Sequence, residues 1–369
     1  MFWPLTIFPR WSGHPLPSSQ RFDGLTILVA GSSSTMGLEA AKKLAAAGAS
    51  TLVVTARTEA RAQSIKTAIE AHLNSLSVAP PPTIIPLTVE MTSPTSIHAF
   101  IHSLSSHVQH LDHAILNAGT NESTHSLCAT GYETSIQVNA ISTTLLGLSL
   151  LPLLLASPNT TNPTISLRPH LVFVSSGTAW LVKPATLPTA PSSTTPMADL
   201  STPANWPPGT FGGQALYSRS KLCLEYAMRH LAFLPVLRSD PAASDSPPRV
   251  LVTSCCPGPV ATNLARSYTA NSWVATLGVA LISQLVRAPE VGANIHVSAL
   301  GRGEEARGEM WKDDVVVSGE KVRNVKEGVG RELGERVWRE MKVVVKEQDQ
   351  EQGGEGLVER MLVEGEERG

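Results

Sequence analysis

Residues 25–48 carry the pattern that most narrows what this chain can fold into. Thr26-Ile27-Leu28-Val29-Ala30 is a short apolar run, and the small-residue stretch Gly31-Ser32-Ser33-Ser34-Thr35-Met36-Gly37 follows it. Leu38 to Ala45 then carries apolar positions at helical spacing, and Gly48 closes the segment. This predicts a strand, a tight turn and a helix. Such a turn points backbone N–H groups and a helix N-terminus at one spot, which suits a pyrophosphate. The unit then repeats. Strands over Thr51–Thr55, Thr83–Val89, 114–116, Leu171–Val174 and Val250–Ser254 alternate with helices over 59–75, 96–105, 130–155 and 220–234. That alternation predicts an α/β fold, a doubly wound parallel sheet with helices on both faces.

In doubly wound sheets ligands bind at the carboxyl ends of the strands, and the chemistry-bearing residues fall there. Asn117-Ala118-Gly119 ends the fourth strand and Ser175-Ser176-Gly177 the fifth. Tyr217 and Lys221 are four residues apart, one helical turn, so they face the same way. A phenol is a poor proton donor or acceptor at neutral pH without help, and a neighbouring ammonium is expected to lower its pKa. After the second strand comes Ala56 rather than an acid that would hold a ribose 2′-hydroxyl. Arg57 follows, either reading a 2′-phosphate or capping the strand in solvent.

The 369 residues, 42% hydrophobic and 16% charged, have ample capacity for a buried core, and the net charge of −2 offers no whole-chain attraction to nucleic acid. The four cysteines (Cys128, Cys223, Cys255, Cys256) have no C-x-x-C spacing, and the adjacent Cys255 and Cys256, which end an apolar run, are expected as buried free thiols in a reducing, cytoplasmic compartment. His98, His102, His107, His110 and His113 lack an accompanying cysteine or acidic cluster, so a wetted helix face is expected rather than a metal site. Three regions are expected: an aromatic and Pro-rich extension over 1–22, one domain over 23–330, and a charged, partly disordered tail over 331–369. The extension either packs over the domain or touches a membrane or partner. Residues 178–216, rich in Pro, Ser and Thr, are expected as a long loop at the mouth of the site. The apolar stretch 272–286 is expected as a helix, either core or dimer face, or lining for a hydrophobic substrate or a membrane contact.

Taken together these residues resemble the short-chain dehydrogenase/reductase family, from about Gly24 to Arg307. Gly31-x-x-x-Thr35-x-Gly37 is similar to the family's glycine turn, Asn117-Ala118-Gly119 to its N-A-G, and Ser176, Tyr217 and Lys221 to its catalytic trio. Asn139 falls where the family keeps a fourth catalytic residue, and Pro257-Gly258-Pro259-Val260-Ala261-Thr262 matches the segment that holds the nicotinamide carboxamide. More narrowly the chain looks like fungal secondary-metabolite reductases and retinol-dehydrogenase-like enzymes. The resemblance implies a Rossmann-type fold and an NADP(H) cofactor held by the turn (Gly31, Ser33, Thr35, Met36, Gly37), Arg57, Glu90, Asn117–Gly119, Tyr217, Lys221, Pro257, Gly258, Val260 and Thr262. It implies a hydrophobic carbonyl or alcohol substrate, and an oligomer built through the 130–155 and 220–234 helices. Two positions depart from the family. Thr35 replaces the glycine expected to let the backbone approach the pyrophosphate, and Glu90 replaces an Asp facing the adenine amine. A dinucleotide-binding scaffold without turnover, and an epimerase or dehydratase on the same fold, are the other functions considered.

Overall fold

The chain begins its ordered alternation with β1 (Thr26–Ala30), α1 (Thr35–Ala46), β2 (Thr51–Ala56), α2 (Glu59–Ser75), β3 (Thr83–Thr88), α3 (Pro94–His107) and β4 (His113–Leu116). It continues through α4 (Thr134–Leu155), β5 (His170–Val174), α5 (Pro196–Ser201), α6 (Gly212–Ala232) and β6 (Leu251–Cys255). It closes with α7 (Pro289–Gly292), α8 (Asn294–Ala299), β7 (Met310–Lys312), β8 (Val315–Val316), α9 (Glu320–Lys326), α10 (Gly328–Gln350) and α11 (Leu357–Val363). This computed structural model describes residues 16, 20–160, 168–189, 192–209, 211–243, 245–262, 264, 286–350 and 356–363. The expected helix over 272–286 and most of the 1–22 extension lie outside the described residues.

One sheet results, in the order β3-β2-β1-β4-β5-β6-β7-β8, parallel throughout except for β8 against β7. Strand order reverses between β1 and β4, so a crevice opens there at the carboxyl ends. Alternation along each strand sends side chains to two separate cores. Leu28 and Ala30 pack with α3, α4 and α6 on one face, whereas Ile27 and Val29 pack with α1 and α2 on the other. The β7–β8 hairpin turns through Asp313 and Asp314, both at positive φ (51° and 57°), where Asp tolerates the left-handed region better than most residues.

The mostly parallel sheet and its two helical layers agree with the α/β architecture expected from the sequence. Helix α4 is mostly apolar towards its C-terminal half and 83% buried over its most hydrophobic stretch, a core helix for which water is not the neighbour. Helix α6 starts at Gly212, well before the expected 220, so Tyr217 already lies in its second turn. The Pro, Ser and Thr-rich stretch 178–216 is not an open loop. It contains α5 and short 3₁₀ turns at Gly177–Leu181, Pro184–Thr186 and Pro203–Asn205.

The largest correction concerns the charged end. Residues expected as a partly disordered tail form the 23-residue α10 and the shorter α11, and their apolar stripe belongs to the main core. Leu333, Val337, Trp338, Met341, Val344 and Val345 recur at helical spacing and are buried. A high charge count hid a strongly amphipathic helix. Gly334 brings α10 tight against α6: a Cβ there would lie 2.6 Å from the Tyr226 ring. Trp338 stacks flat on His230, centroids 5.4 Å apart. His98, expected on a wetted face, instead meets Asp349 of α10 at 3.6 Å. The 130–155 and 220–234 helices, expected as an oligomer face, are thus covered by the chain's own C-terminal helices. Replacing Met341 with Ala is expected to cost about 2–4 kcal/mol in a denaturant melt; an unchanged midpoint would mean that α10 is not part of the core.

Candidate active site

The crevice between β1 and β4 opens into a cleft of about 1240 Å³ along the carboxyl ends of the strands. Its floor is a close contact between two turns. Gly31 stands at φ 79°, and a Cβ on it would lie 2.6 Å from the Ala118 nitrogen. A Cβ on Gly37 would run into the Gly31 carbonyl and the Asn117 amide. Asn117 Nδ2 donates to the Gly31 carbonyl and to Ser34 Oγ, both at 2.9 Å, tying the turn after β1 to the corner after β4. Ser34, which the sequence reading passed over, caps α1 by accepting from the Gly37 N–H at 3.0 Å. Its signal was legible as a Ser three residues before Gly37 at a helix start.

Thr35 stands differently from expectation. It is the first residue of α1, its side chain is exposed, its φ is not positive, and it is not part of the cleft wall. The positions that demand glycine are 31 and 37, and both have it.

Ser33, Met36, Arg57, Glu90, Asn117, Ala118 and Gly119 line the nucleotide end of the cleft, and Pro257, Gly258, Val260 and Thr262 line the far side. One Glu90 carboxylate oxygen accepts from the Thr92 N–H at 3.0 Å. Arg61, one turn from Arg57, also lines the cleft, and neither arginine makes an ion pair among the described residues. Arg287 is a further residue that the sequence did not single out. It donates to the Pro257 carbonyl at 3.0 Å and to Asp313 at 2.6 Å, fastening the Pro257–Thr262 segment to the β7–β8 hairpin.

Ser176, Tyr217 and Lys221 converge in the middle of the cleft. Ser176 caps the 3₁₀ turn after β5, accepting from Thr178 N–H at 3.3 Å with the Thr178 hydroxyl at 3.0 Å, and it lies beside the Tyr217 phenol. Ser175, the neighbouring serine, turns towards the buried Glu225. Lys221 Nζ donates to the Val174 carbonyl at 2.8 Å and lies 6.0 Å from the centre of the Tyr217 ring. Tyr217 and Lys221 are buried, at 7% and 4% exposure. The sequence led us to expect a phenol pKa lowered by the lysine, and the structure corrects this. Burial pushes the Tyr217 phenol above its ordinary value, and the nearby Ser176 hydroxyl opposes that only in part. Burial also pulls Lys221 down to about 8, with the Glu225 charge opposing.

Asn139 is fully buried behind this group, inside a π-helical segment (Gln137–Ser142) of α4. Its Oδ1 accepts from Thr120 N–H at 2.8 Å; its Nδ2 donates to the Thr120 carbonyl at 2.8 Å and to Ser220 Oγ at 2.9 Å. The side chain therefore positions the Gly119–Thr120 corner and does not reach the cleft. Towards the substrate end, Asn121 Nδ2 donates to Gln214 Oε1 at 2.9 Å, with Glu122 and Thr178 nearby in the wall. Gln214 lies three residues before Tyr217 on the same helix face, a spacing that would have flagged it.

A doubly wound sheet with this serine, tyrosine and lysine at its switch point defines a dinucleotide-dependent type of site, and the comparisons agree. The family model for short chain dehydrogenases matches residues 25–179. The chain is 32% identical to the short-chain dehydrogenase/reductase ffsI of Aspergillus flavipes, over 89% of this chain and 87% of that one. It is also 32% identical to the short-chain dehydrogenase/reductase phmF of Phaeosphaeria nodorum, over 89% of this chain and 88% of that one. The chain belongs to the short-chain dehydrogenase/reductase family of oxidoreductases. The fold is shared with an uncharacterized Mycobacterium paratuberculosis protein (TM-score 0.57, 18% identity, covering 91% of this chain and 98% of that one). It is shared too with an Escherichia coli CFT073 short chain dehydrogenase crystallised with NADPH (TM-score 0.53, 18% identity, covering 81% and 100%).

Gly31→Ala is expected to cost about 2 kcal/mol or more, because an alanine there combines a left-handed φ with a backbone clash. Thr35→Gly is expected to change stability by at most about 1 kcal/mol and to leave dinucleotide affinity within about threefold. Thermal melts and a fluorescence titration with NADPH check both; a large gain of affinity in Thr35→Gly would restore the glycine requirement at position 35.

Proposed function

We propose that the protein is an NADP(H)-dependent ketoreductase, interconverting a carbonyl and a secondary alcohol on a small molecule. The observation that carries it is the Ser176–Tyr217 pair with Lys221 beneath, set in the switch-point cleft. The residues present fit a dinucleotide. The turn after β1 presents the capped N-terminus of α1, and Asn117 to Gly119 leave the adjoining corner without bulky side chains. Arg57 and Arg61, both exposed and without a carboxylate partner among the described residues, suit a 2′-phosphate, which supports NADP over NAD. Tyr217, Lys221 and the Pro257–Thr262 segment would hold the nicotinamide half.

When bound, the reduced cofactor supplies the hydride. The chain's own residues then do the rest. Ser176 holds the substrate oxygen in hydrogen-bond reach, where negative charge grows as the carbonyl is reduced. Tyr217, whose phenol burial keeps protonated through neutral pH, donates its proton to that oxygen. A phenol with a raised pKa is the weaker acid, so its proton transfer depends on positive charge beside it. Lys221, charged below about 8, supplies the local positive charge that stabilises the tyrosinate left behind. Asn139 holds the Thr120 corner in place. The described substrate end, with Asn121, Glu122, Thr178 and Gln214, suits a ketone bearing other oxygen groups. The resemblance to fungal secondary-metabolite reductases supports a small-molecule ketone as the substrate.

Tyr217→Phe is expected to lower turnover at least about a hundredfold while NADPH affinity stays within about threefold; near-wild-type turnover would remove the mechanism. Replacing Arg57 and Arg61 together with Ala is expected to weaken NADPH binding about tenfold or more and leave NADH binding unchanged. The sign for pH follows from the lysine. kcat/KM for reduction is expected to be level through neutral pH and to fall as pH rises through about 8, where Lys221 loses its proton. A profile that stays level through that range would show that the Lys221 charge is not needed for the step.

A further inference from the structure

Helix α5 is capped from far away in the sequence. The residue before it, Thr195, makes no side-chain hydrogen bond to it, so its first N–H groups have no local partner of that kind. Glu340 of α10 supplies one. Its Oε2 accepts from the Met197 N–H at 2.6 Å and its Oε1 from the Ala198 N–H at 2.9 Å. The Tyr132 hydroxyl donates to the same Oε1 at 3.4 Å. Arg336, one turn earlier on α10, donates to the Ser193 carbonyl at 3.0 Å. Arg336 and Glu340 thus clasp the insertion on both sides of Thr195, and Glu340 reaches the 119–134 segment as well.

Both clasped segments run to the rim of the cleft. At the far end of α5 the Ser201 carbonyl meets His125 Nε2 at 2.9 Å, and the His125 ring packs edge-on against Trp206. His125 follows Thr120, Asn121 and Glu122, which line the cleft. The Trp206–Pro207 stretch sits against Gly212, where α6 begins; a Cβ there would strike the Pro207 carbonyl. Arg219, two residues beyond Tyr217, donates to the Asn205 carbonyl at 3.4 Å. The path from α10 to the wall beside Tyr217 is therefore continuous contact, with one buried carboxylate at its start.

We infer that Glu340 is a positioning residue, holding α5 and Tyr132 so that the C-terminal helix α10 sets the substrate-side wall of the cleft. The carboxylate form suits the role, since an ionised acceptor bonds N–H donors about twice as strongly as a neutral one; burial pushes the Glu340 carboxyl up to about 7, and the Met197 and Ala198 N–H groups oppose that. That the clasped wall receives substrate rests on the ketoreductase reading above, whereas the clasp itself does not. Glu340 bonds Met197, Ala198 and Tyr132, none of which lines the cleft where the dinucleotide would lie. Substrate affinity should accordingly depend on Glu340, and cofactor affinity should not.

Hydrogen exchange on the full chain tests this without a known substrate. In Glu340→Ala, exchange at Met197 to Ser201 and at 125–132 is expected to rise about tenfold or more, with Glu340→Gln intermediate. Protection in β1, β4 and β5 and the NADPH dissociation constant are expected to stay within twofold. For any panel ketone that the wild type reduces, KM is expected to rise and kcat to hold. Unchanged exchange at Met197 to Ser201 would overturn the clasp. Loss of protection across the sheet together with loss of NADPH binding would make Glu340 an ordinary core residue. If Glu340→Ala fails to fold, Arg336→Ala and Tyr132→Phe decide. Each is expected to raise exchange in its own segment, 192–198 or 125–132, and no change in either overturns the inference. Clasp behaviour without any ketone turnover would leave this inference standing and remove the ketoreductase reading.

Discussion

Everything at this site depends on how closely two backbone turns approach each other where the sheet reverses its order. The turn after β1 and the corner after β4 meet with Gly31 against Ala118, and any side chain at 31 would force them apart. Because β1 and β4 are hydrogen-bonded neighbours, separating the turns would break the register that sets Ala30 beside Leu116. Asn117 then uses its amide to lock the contact, bonding the Gly31 carbonyl and the cap of α1 together. The dinucleotide end of the cleft is thus made mostly of backbone, positioned by two glycines and one asparagine.

The chemical end obeys a different constraint, burial. Tyr217, Lys221, Asn139 and Glu225 are all withdrawn from water behind the sheet edge, and water exclusion strengthens each electrostatic contact there. The cost is that each ionisable group is pushed towards its neutral form. Tyr217 is held as a phenol and Lys221 sits nearer neutrality than an exposed lysine.

Much of this was legible in the sequence, and the losses have physical causes. Strands β1 to β6 were visible because buried parallel strands are short apolar runs bounded by turn residues, and each began or ended within a residue or two of expectation, whereas the short β7 and β8 were not foreseen. Glycine positions 31 and 37 were legible, but which of the turn's positions truly need glycine was not, since that depends on φ and on what lies across the contact. Thr35 illustrates this: the sequence shows a β-branched residue in a glycine pattern, and only the fold shows it at the first turn of a helix, facing water. The phenol pKa was misjudged because spacing reports adjacency of Tyr217 and Lys221 but not how deeply both are buried. The C-terminal helices were missed because charge density outweighed the apolar stripe from Leu333 to Val345. Contacts across long separations, such as Glu340 to Met197 or Arg287 to Asp313 and Pro257, have no local signature at all.

The central claim is that this cleft delivers a hydride from a bound reduced dinucleotide to a carbonyl carbon, with the chain's tyrosine supplying the proton. The most direct measurement is to give the purified protein NADPH deuterated at the transferable position together with a panel of oxygenated ketones, and to weigh and map the product alcohols. The account predicts one deuterium at the carbinol carbon, from one face of the cofactor only. Tight NADPH binding with no labelled alcohol from any ketone, or an alcohol formed without the label, would contradict it.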